Sequence, residues 1–176
     1  DGLTCAYHAC CNAIASSIPY EQFEQAAEAC NIEAVSQGRG GVDWHEHGFS
    51  SEHLHHYFDS VCTTHSCYRV GTFFLRHAEH PMLQHMLNIL GNEVRAMVMY
   101  TPGHWHTLRH QLDGVQEAGP EAAWVCVDSR RARIPAAMGT KAASEYLTTC
   151  LFSSRPITNA MFFITTTAVD SAVFRK

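Results

Sequence analysis

A thiol, an imidazole and a carboxylate, met in that order along a chain, are the groups that let sulfur attack a carbonyl. Cys5, His104 and Asp128 offer that set here. Cys5 lies in Gly2-Leu3-Thr4-Cys5-Ala6-Tyr7-His8-Ala9, where a short polar turn gives way to a helical pattern. A thiol in the first turn of a helix faces unpaired backbone N–H groups and the positive end of the macrodipole, a setting that favours the thiolate. His104 follows the turn Thr101-Pro102-Gly103 and opens a strand, from which its ring would project at the sheet edge toward a helix terminus to take and return the proton. Asp128 closes the apolar run that starts at Ala122, so that in a paired neighbouring strand its carboxylate would lie alongside His104 and orient the ring.

Each of these residues also has a plain structural reading. A cysteine early in a helix is often a small apolar side chain, and an aspartate at a strand end is a common turn former. Most of the 13 histidines must lie on the surface or be satisfied in the core. His106 competes with His104, because two residues along a strand return to the same face. The set in order, on elements that suit each role, carries more weight than any member alone.

The elements that must position these groups follow from periodicity. A first helix is predicted over Cys5 to Ser17, with Ala6, Ala9, Cys10, Cys11 and Ile14 forming a close-packing face. A second follows Pro19 over Tyr20 to Asn31, carrying Phe23, Ala26, Ala27 and Cys30 at helical intervals. Between Ile32 and Gly48 the pattern dissolves around Gly38, Gly40 and Gly41, so residues 32–48 are expected to form a loop, of a length at which lids and binding arms occur. A helix capped by Ser50 or Ser51 comes next, with Leu54, Tyr57, Phe58 and Val61 on one stripe. A strand over Tyr68 to Leu75 and a helix opened by Pro81, with Leu83, Met86, Leu87 and Leu90 on one side, lead into three antiparallel strands over Val94 to Tyr100, His104 to Leu112 and Ala122 to Asp128. A helix over Lys141 to Leu151 and a terminal strand over Met161 to Thr167 complete an α+β chain, helices first and sheet second, in a single domain over residues 1–176.

Length and composition bound the partners. The 176 residues, 46% of them apolar, suffice for one core. A formal charge of −5 argues against a nucleic-acid partner and suits a basic substrate or partner segment. No apolar run reaches the roughly 18 to 20 residues of a membrane span, and the first residues lack a signal pattern, so no membrane partner is expected. The eight cysteines include the adjacent pair Cys10 and Cys11, Cys126 within Trp124-Val125-Cys126-Val127, and Cys150 within a helical stretch. These are places for small apolar side chains of a reduced protein, which points to cytoplasm or nucleus.

Beyond this, the residues resemble those of the Josephin family. Cys5-Ala6-x-His8, with Asn12 further along the helix, is similar to its Cys-Ala-x-His segment, and His104-Trp105-x-Thr107-x-Arg109 to its His-Trp-Phe-Thr-Val-Arg strand. Trp124 to Ser129 resembles the family's Trp-Phe-Asn-Leu-Asn-Ser, with Asp128 where the catalytic Asn stands. Weaker likenesses at Gly48-Phe49-Ser50 and Phe162-Phe163-Ile164 extend the resemblance over nearly the whole chain. It implies a papain-like cysteine protease fold, N-terminal helices packed on an antiparallel sheet, with the activity of a deubiquitinase. The bond cut would be the (iso)peptide bond after the C-terminal glycine of ubiquitin or a ubiquitin-like protein. Cys5 would be the nucleophile, its backbone N–H an oxyanion donor, His104 the proton carrier and Asp128 the orienting group. Trp105 would pack beside the nucleophile and bind substrate in a channel suited to glycines, with no cofactor and no metal.

The chain departs from the family pattern in three ways. The oxyanion-hole Gln, five residues before the nucleophile, would fall one position ahead of Asp1, so a segment upstream is expected to be missing. Asp replaces Asn at the orienting position, adding a charge that would stabilise an imidazolium. The family's long helical arm is replaced by the Gly-rich stretch between Asn31 and Gly48.

Other readings compete with this one. A papain-like site can also transfer acyl groups, or bind ubiquitin without cutting it. A zinc-binding module would draw on residues 45–67, where His45, His47, His53, His55, His56, Cys62, His65 and Cys67 crowd together, though without a Cys-x-x-Cys pair.

Overall fold

Small side chains on one face make α1 (Cys5–Ile14), in which Cys5, Ala6, Ala9, Cys10 and Ala13 are buried and let the helix backbone approach the sheet closely. The computed structural model of the chain describes residues 4–69, 94–101, 103–110, 122–128, 137–152 and 161–165. Ala15, left-handed at φ 53°, ends α1 short of the expected Ser17. In α2 (Tyr20–Ser36) Phe23, Ala26 and Ala27 start a buried stripe that Ala34 continues. The helix therefore runs past Asn31, and the loop expected over residues 32–48 begins as helix. Ile32 and Val35, 62% and 63% exposed, face away from the core and hide the period.

The rest of that connection is tied down. Asn31 donates from Nδ2 to the carbonyl of Val42 and accepts from the N–H of Val42 at Oδ1, both at 2.9 Å. The short α3 (Trp44–His47) follows, with Asp43 accepting from the N–H of His45. Trp44 lies nearly parallel to Phe49, and Phe49 meets Phe23 edge-on at 4.8 Å between ring centroids, so α3 is packed onto the α2 core.

Ser50 caps α4 (Ser51–Ser60) as expected, and the cap is reciprocal. The Ser50 hydroxyl accepts from the N–H of His53, and His53 Nδ1 accepts from the N–H of Ser50 at 3.2 Å. Nε2 of the same ring lies 3.1 Å from Oδ1 of Asn31. Because the carbonyl oxygen only accepts, His53 is neutral with its proton on Nε2. Leu54, Tyr57 and Phe58 form the buried stripe of α4.

Burial holds the His53 imidazole below its ordinary range, and burial followed by Arg95 does the same to His65 and His110. For a histidine whose folded value is depressed, the stabilisation is present above the ordinary value of about 6.5 and lost as pH falls through the folded value. Melting temperature is expected to drop between pH 7 and pH 5, and His53→Gln to flatten that drop. An identical slope in parent and variant, followed by circular dichroism, would remove His53 from the account.

Among the described residues the sheet has six strands in the order β1-β6-β2-β3-β4-β5, every neighbouring pair antiparallel. They are β1 (Ser66–Arg69), β2 (Val94–Thr101), β3 (His104–His110), β4 (Ala122–Val127), β5 (Ala137–Gly139) and β6 (Met161–Thr165), with α5 (Thr140–Phe152) between the last two. The expected run β2-β3-β4 is its centre. The terminal strand β6 slots between β1 and β2, and β5 extends the far edge. Helix α5 follows β5 and covers the helix expected over Lys141 to Leu151. Of the strand expected over Tyr68 to Leu75, Tyr68 and Arg69 lie in β1, and its remainder and the helix expected from Pro81 lie outside the described residues.

Apolar residues alternate between two cores. Ala96, Val98, Trp105, Phe162 and Ile164 join α1, α2 and α4 on one face. Met97, Met99, Leu108, Trp124, Cys126 and Phe163 join Ala143 and Leu147 of α5 on the other. The architecture is thus α+β, with helices on both faces of an antiparallel sheet.

Candidate active site

A tight turn sets the first residue of β3. Gly103 has φ +68°, a left-handed conformation natural to glycine, and its N–H donates to the Tyr100 hydroxyl at 3.2 Å. Thr101 Oγ1 donates to the carbonyl of His104 at 3.4 Å. Beyond this turn side chains alternate. Trp105, Thr107 and Arg109 face α1, while His104, His106 and Leu108 face the α5 side.

His104 and Asp128 are brought together. Nε2 of His104 lies 2.6 Å from Oδ1 of Asp128, with the two side chains 6% and 13% exposed. The register pairs Thr107 with Val127, which puts Asp128 across from His106 and diagonal to His104, a separation that side chains bridge. An ionised carboxylate only accepts, so Nε2 carries a proton and the neutral ring has its lone pair on Nδ1. Nδ1 is buried and, among the described residues, makes no hydrogen bond. The ring is held by one nitrogen and left basic at the other.

The rival His106 is 4% exposed, lies nearly parallel to His104 at 6.2 Å between centroids and meets Tyr146 of α5 edge-on. It backs the first imidazole rather than replacing it at the end of the strand. Tyr146 is itself engaged by Cys126, whose Sγ is 3.0 Å from the phenol oxygen, and burial pushes the Tyr146 hydroxyl far up.

Cys5 occupies the first position of α1, 6% exposed, in the same core as Trp105. Two bonds fix how that helix lies on β3. Thr107 Oγ1 donates to the carbonyl of Ala9 at 2.8 Å, and Arg109 Nη1 donates to the carbonyl of Asn12 at 3.3 Å. Strand and helix therefore advance in the same direction. From Thr107 back to His104 is about 10 Å of strand, and from Ala9 back to Cys5 about 6 Å of helix, so the beginnings of the two elements adjoin. The Cys5 thiol makes no hydrogen bond to His104 Nδ1. Since β3 is an inner strand and His104 is on the face away from α1, the two groups can approach only around the end of β3. The sheet edge expected from sequence is not involved.

The remaining thiols are set apart. None of the eight cysteines is in a disulfide. Burial pushes the thiols of Cys10 and Cys67 well up, and burial followed by Glu52 raises that of Cys30, so none of these is an activated nucleophile. Among the described residues no three His, Cys, Asp or Glu side chains gather as a set for a metal ion, and both nitrogens of His53 are already engaged. His55 bonds Asp59 at 2.9 Å, and His56 lies near Glu33. These two histidines line a polar cleft of about 400 Å³ between α2 and α4 that none of Cys5, His104 and Asp128 borders.

Sequence reasoning singled out Cys5, His104, Asp128 and Trp105 but gave no task to Thr107, Arg109 or Tyr100. The available signal was polar residues at alternate positions of a strand that is otherwise buried. A scan of the chain against protein-family models matches none, and a search of curated proteins returns no significant match. Among the described residues no helix is long and apolar enough to cross a membrane.

Proposed function

We propose that the chain is a papain-like thiol hydrolase of Josephin type, a deubiquitinase that cleaves the bond after the C-terminal glycine of ubiquitin or a ubiquitin-like protein. The observation that carries this reading is the His104–Asp128 bond, which leaves Nδ1 as an unengaged base at the end of β3 that adjoins the first turn of α1. The (iso)peptide carbonyl would seat at that end. His104 Nδ1 takes the proton of the Cys5 thiol as sulfur bonds to the carbonyl carbon, and the oxyanion is met by the Cys5 backbone N–H at the helix N-terminus. The imidazolium then protonates the leaving amine, and water releases the acyl group by the same steps with His104 again as base. Asp128 keeps the ring in one tautomer throughout. Trp105 packs against Tyr100 and Phe162, and on this reading it would stand as a fixed wall beside the nucleophile.

Eight cysteines outside any disulfide fit a reducing compartment, the cytoplasm or nucleus. A ubiquitin carrying a C-terminal electrophile tests the reading. One adduct is expected on the parent protein, mapping to Cys5, and none on Cys5→Ala. An adduct retained by Cys5→Ala, or mapped to another cysteine, would sink the assignment.

A further inference from the structure

The two bonds between β3 and α1 carry a role of their own. Thr107 is fully buried on the face opposite His104, and its hydroxyl reaches the carbonyl of Ala9, in the middle turn of α1. Arg109, two residues on, places its guanidinium on the carbonyl of Asn12 in the last turn, where the helix dipole is negative and a cation is favoured. Neither bond is local. Each joins residues nearly a hundred positions apart and points along α1 at a different turn. The helix surface between them is built of Ala6, Ala9, Cys10 and Ala13, side chains too short to interlock with a sheet and stop a sliding motion. Apolar contact on so smooth a face would tolerate a shift of α1 along β3; two directional bonds at separate turns do not.

We infer that Thr107 and Arg109 are positioning residues that set the level of α1 on β3, and thereby the alignment of the Cys5 thiol with Nδ1 of His104. The inference rests on the thiol-hydrolase reading and adds the residues that would keep its two halves in register, since nucleophile and base come from different elements and share no direct bond. A slip of about one helical residue moves Cys5 by about 1.5 Å, enough to spoil proton transfer between them. Trp105, the third residue on this face of β3, sits in the Cys5 core and completes the contact at the site end.

The test is the rate at which iodoacetamide labels Cys5 at neutral pH, followed by peptide mass spectrometry. Thr107→Val keeps the volume and removes the bond, and Thr107→Ser keeps the bond. Because Cys5 is 6% exposed, simple loosening of the fold would speed its labelling, whereas lost alignment with the base slows it. Thr107→Val is expected to label about tenfold more slowly and Thr107→Ser to recover to within about twofold of the parent. Arg109→Gln, at the half-buried end of the contact, is expected to slow labelling in the same direction and serves if Thr107→Val does not fold. Unchanged or faster labelling in these variants would overturn the positioning role and leave Thr107 and Arg109 as ordinary packing. His104→Ala is the control that separates the two ideas. If it labels as fast as the parent, there is no coupled pair to align, and the hydrolase reading fails together with the inference.

Discussion

His104→Ala is expected to lower kcat/KM on a ubiquitin C-terminal amide substrate by about a thousandfold, with His106→Ala losing far less. A general base at its working distance contributes a factor of about 10² to 10⁴, and in the proposed mechanism the same imidazole would act twice, first accepting the thiol proton and then giving it to the amine. Only one of the two stacked rings is equipped for that. His104 stands at the end of β3, has its Nε2 fixed by Asp128, and keeps Nδ1 without a partner among the described residues. His106 lies one pleat further in, between the first ring and Tyr146, and it is buried by its neighbours. Its removal opens a void behind His104, so the expected signature is a lowered melting temperature with most of the rate per folded molecule retained. A turnover assay normalised to active thiol distinguishes the two. The reverse ranking would make His106 the base.

The elements that carry the site were legible because each announces itself locally. α1 is a run of small residues ending in a turn, and β2 and β3 alternate around Thr101-Pro102-Gly103, which makes the antiparallel pair and places His104 at a strand start. α4 declares its own cap through Ser50 and its stripe through Leu54, Tyr57 and Phe58. What could not be read depends on partners far along the chain. Nothing in Met161 to Thr165 says that it enters between β1 and β2, and the three residues of β5 are too few to show a period. The extension of α2 was hidden because Ile32 and Val35 are apolar yet exposed, so the residues that looked like an ended pattern were the outer face of a continuing one.

The site follows the same division. That His104 and Asp128 would meet was a reasonable consequence of adjacent strands, but the diagonal step between them depends on the Thr107–Val127 register, which hydrophobic pattern alone does not set when both faces are buried. The face on which His104 lies is legible in parity. Trp105, Thr107 and Arg109 form one alternating set and His104, His106 and Leu108 the other, so a helix bonded to Thr107 is on the far face from His104. The histidine-rich stretch is the converse case. His53, His55, His56 and His65 are close in sequence, but helix geometry and the loop after α4 send them to a cap, two carboxylates and a threonine hydroxyl.

Asp128→Ala is expected to cut kcat about a hundredfold while KM changes by less than about threefold. On the proposed reading the carboxylate sits on the nitrogen remote from the reaction, so it would not contact the substrate or contribute to binding it. Its effect is on the ring. With Asp128 present the neutral imidazole holds its proton on Nε2 and offers Nδ1; without it the tautomers mix, the ring rotates about its χ angles, and the imidazolium formed after proton transfer loses a buried counter-charge at 2.6 Å. Asp128→Asn separates these contributions. The amide oxygen can accept the same Nε2–H bond, which preserves tautomer and orientation, but it supplies no charge. The expected order is therefore parent, then Asn with about a tenth of the parent rate, then Ala, at unchanged KM throughout. If Asn and Ala fall together, the charge rather than the geometry is what Asp128 provides. If Ala matches the parent, the short bond to His104 has no part in turnover, and the orienting role would have to be sought in another residue.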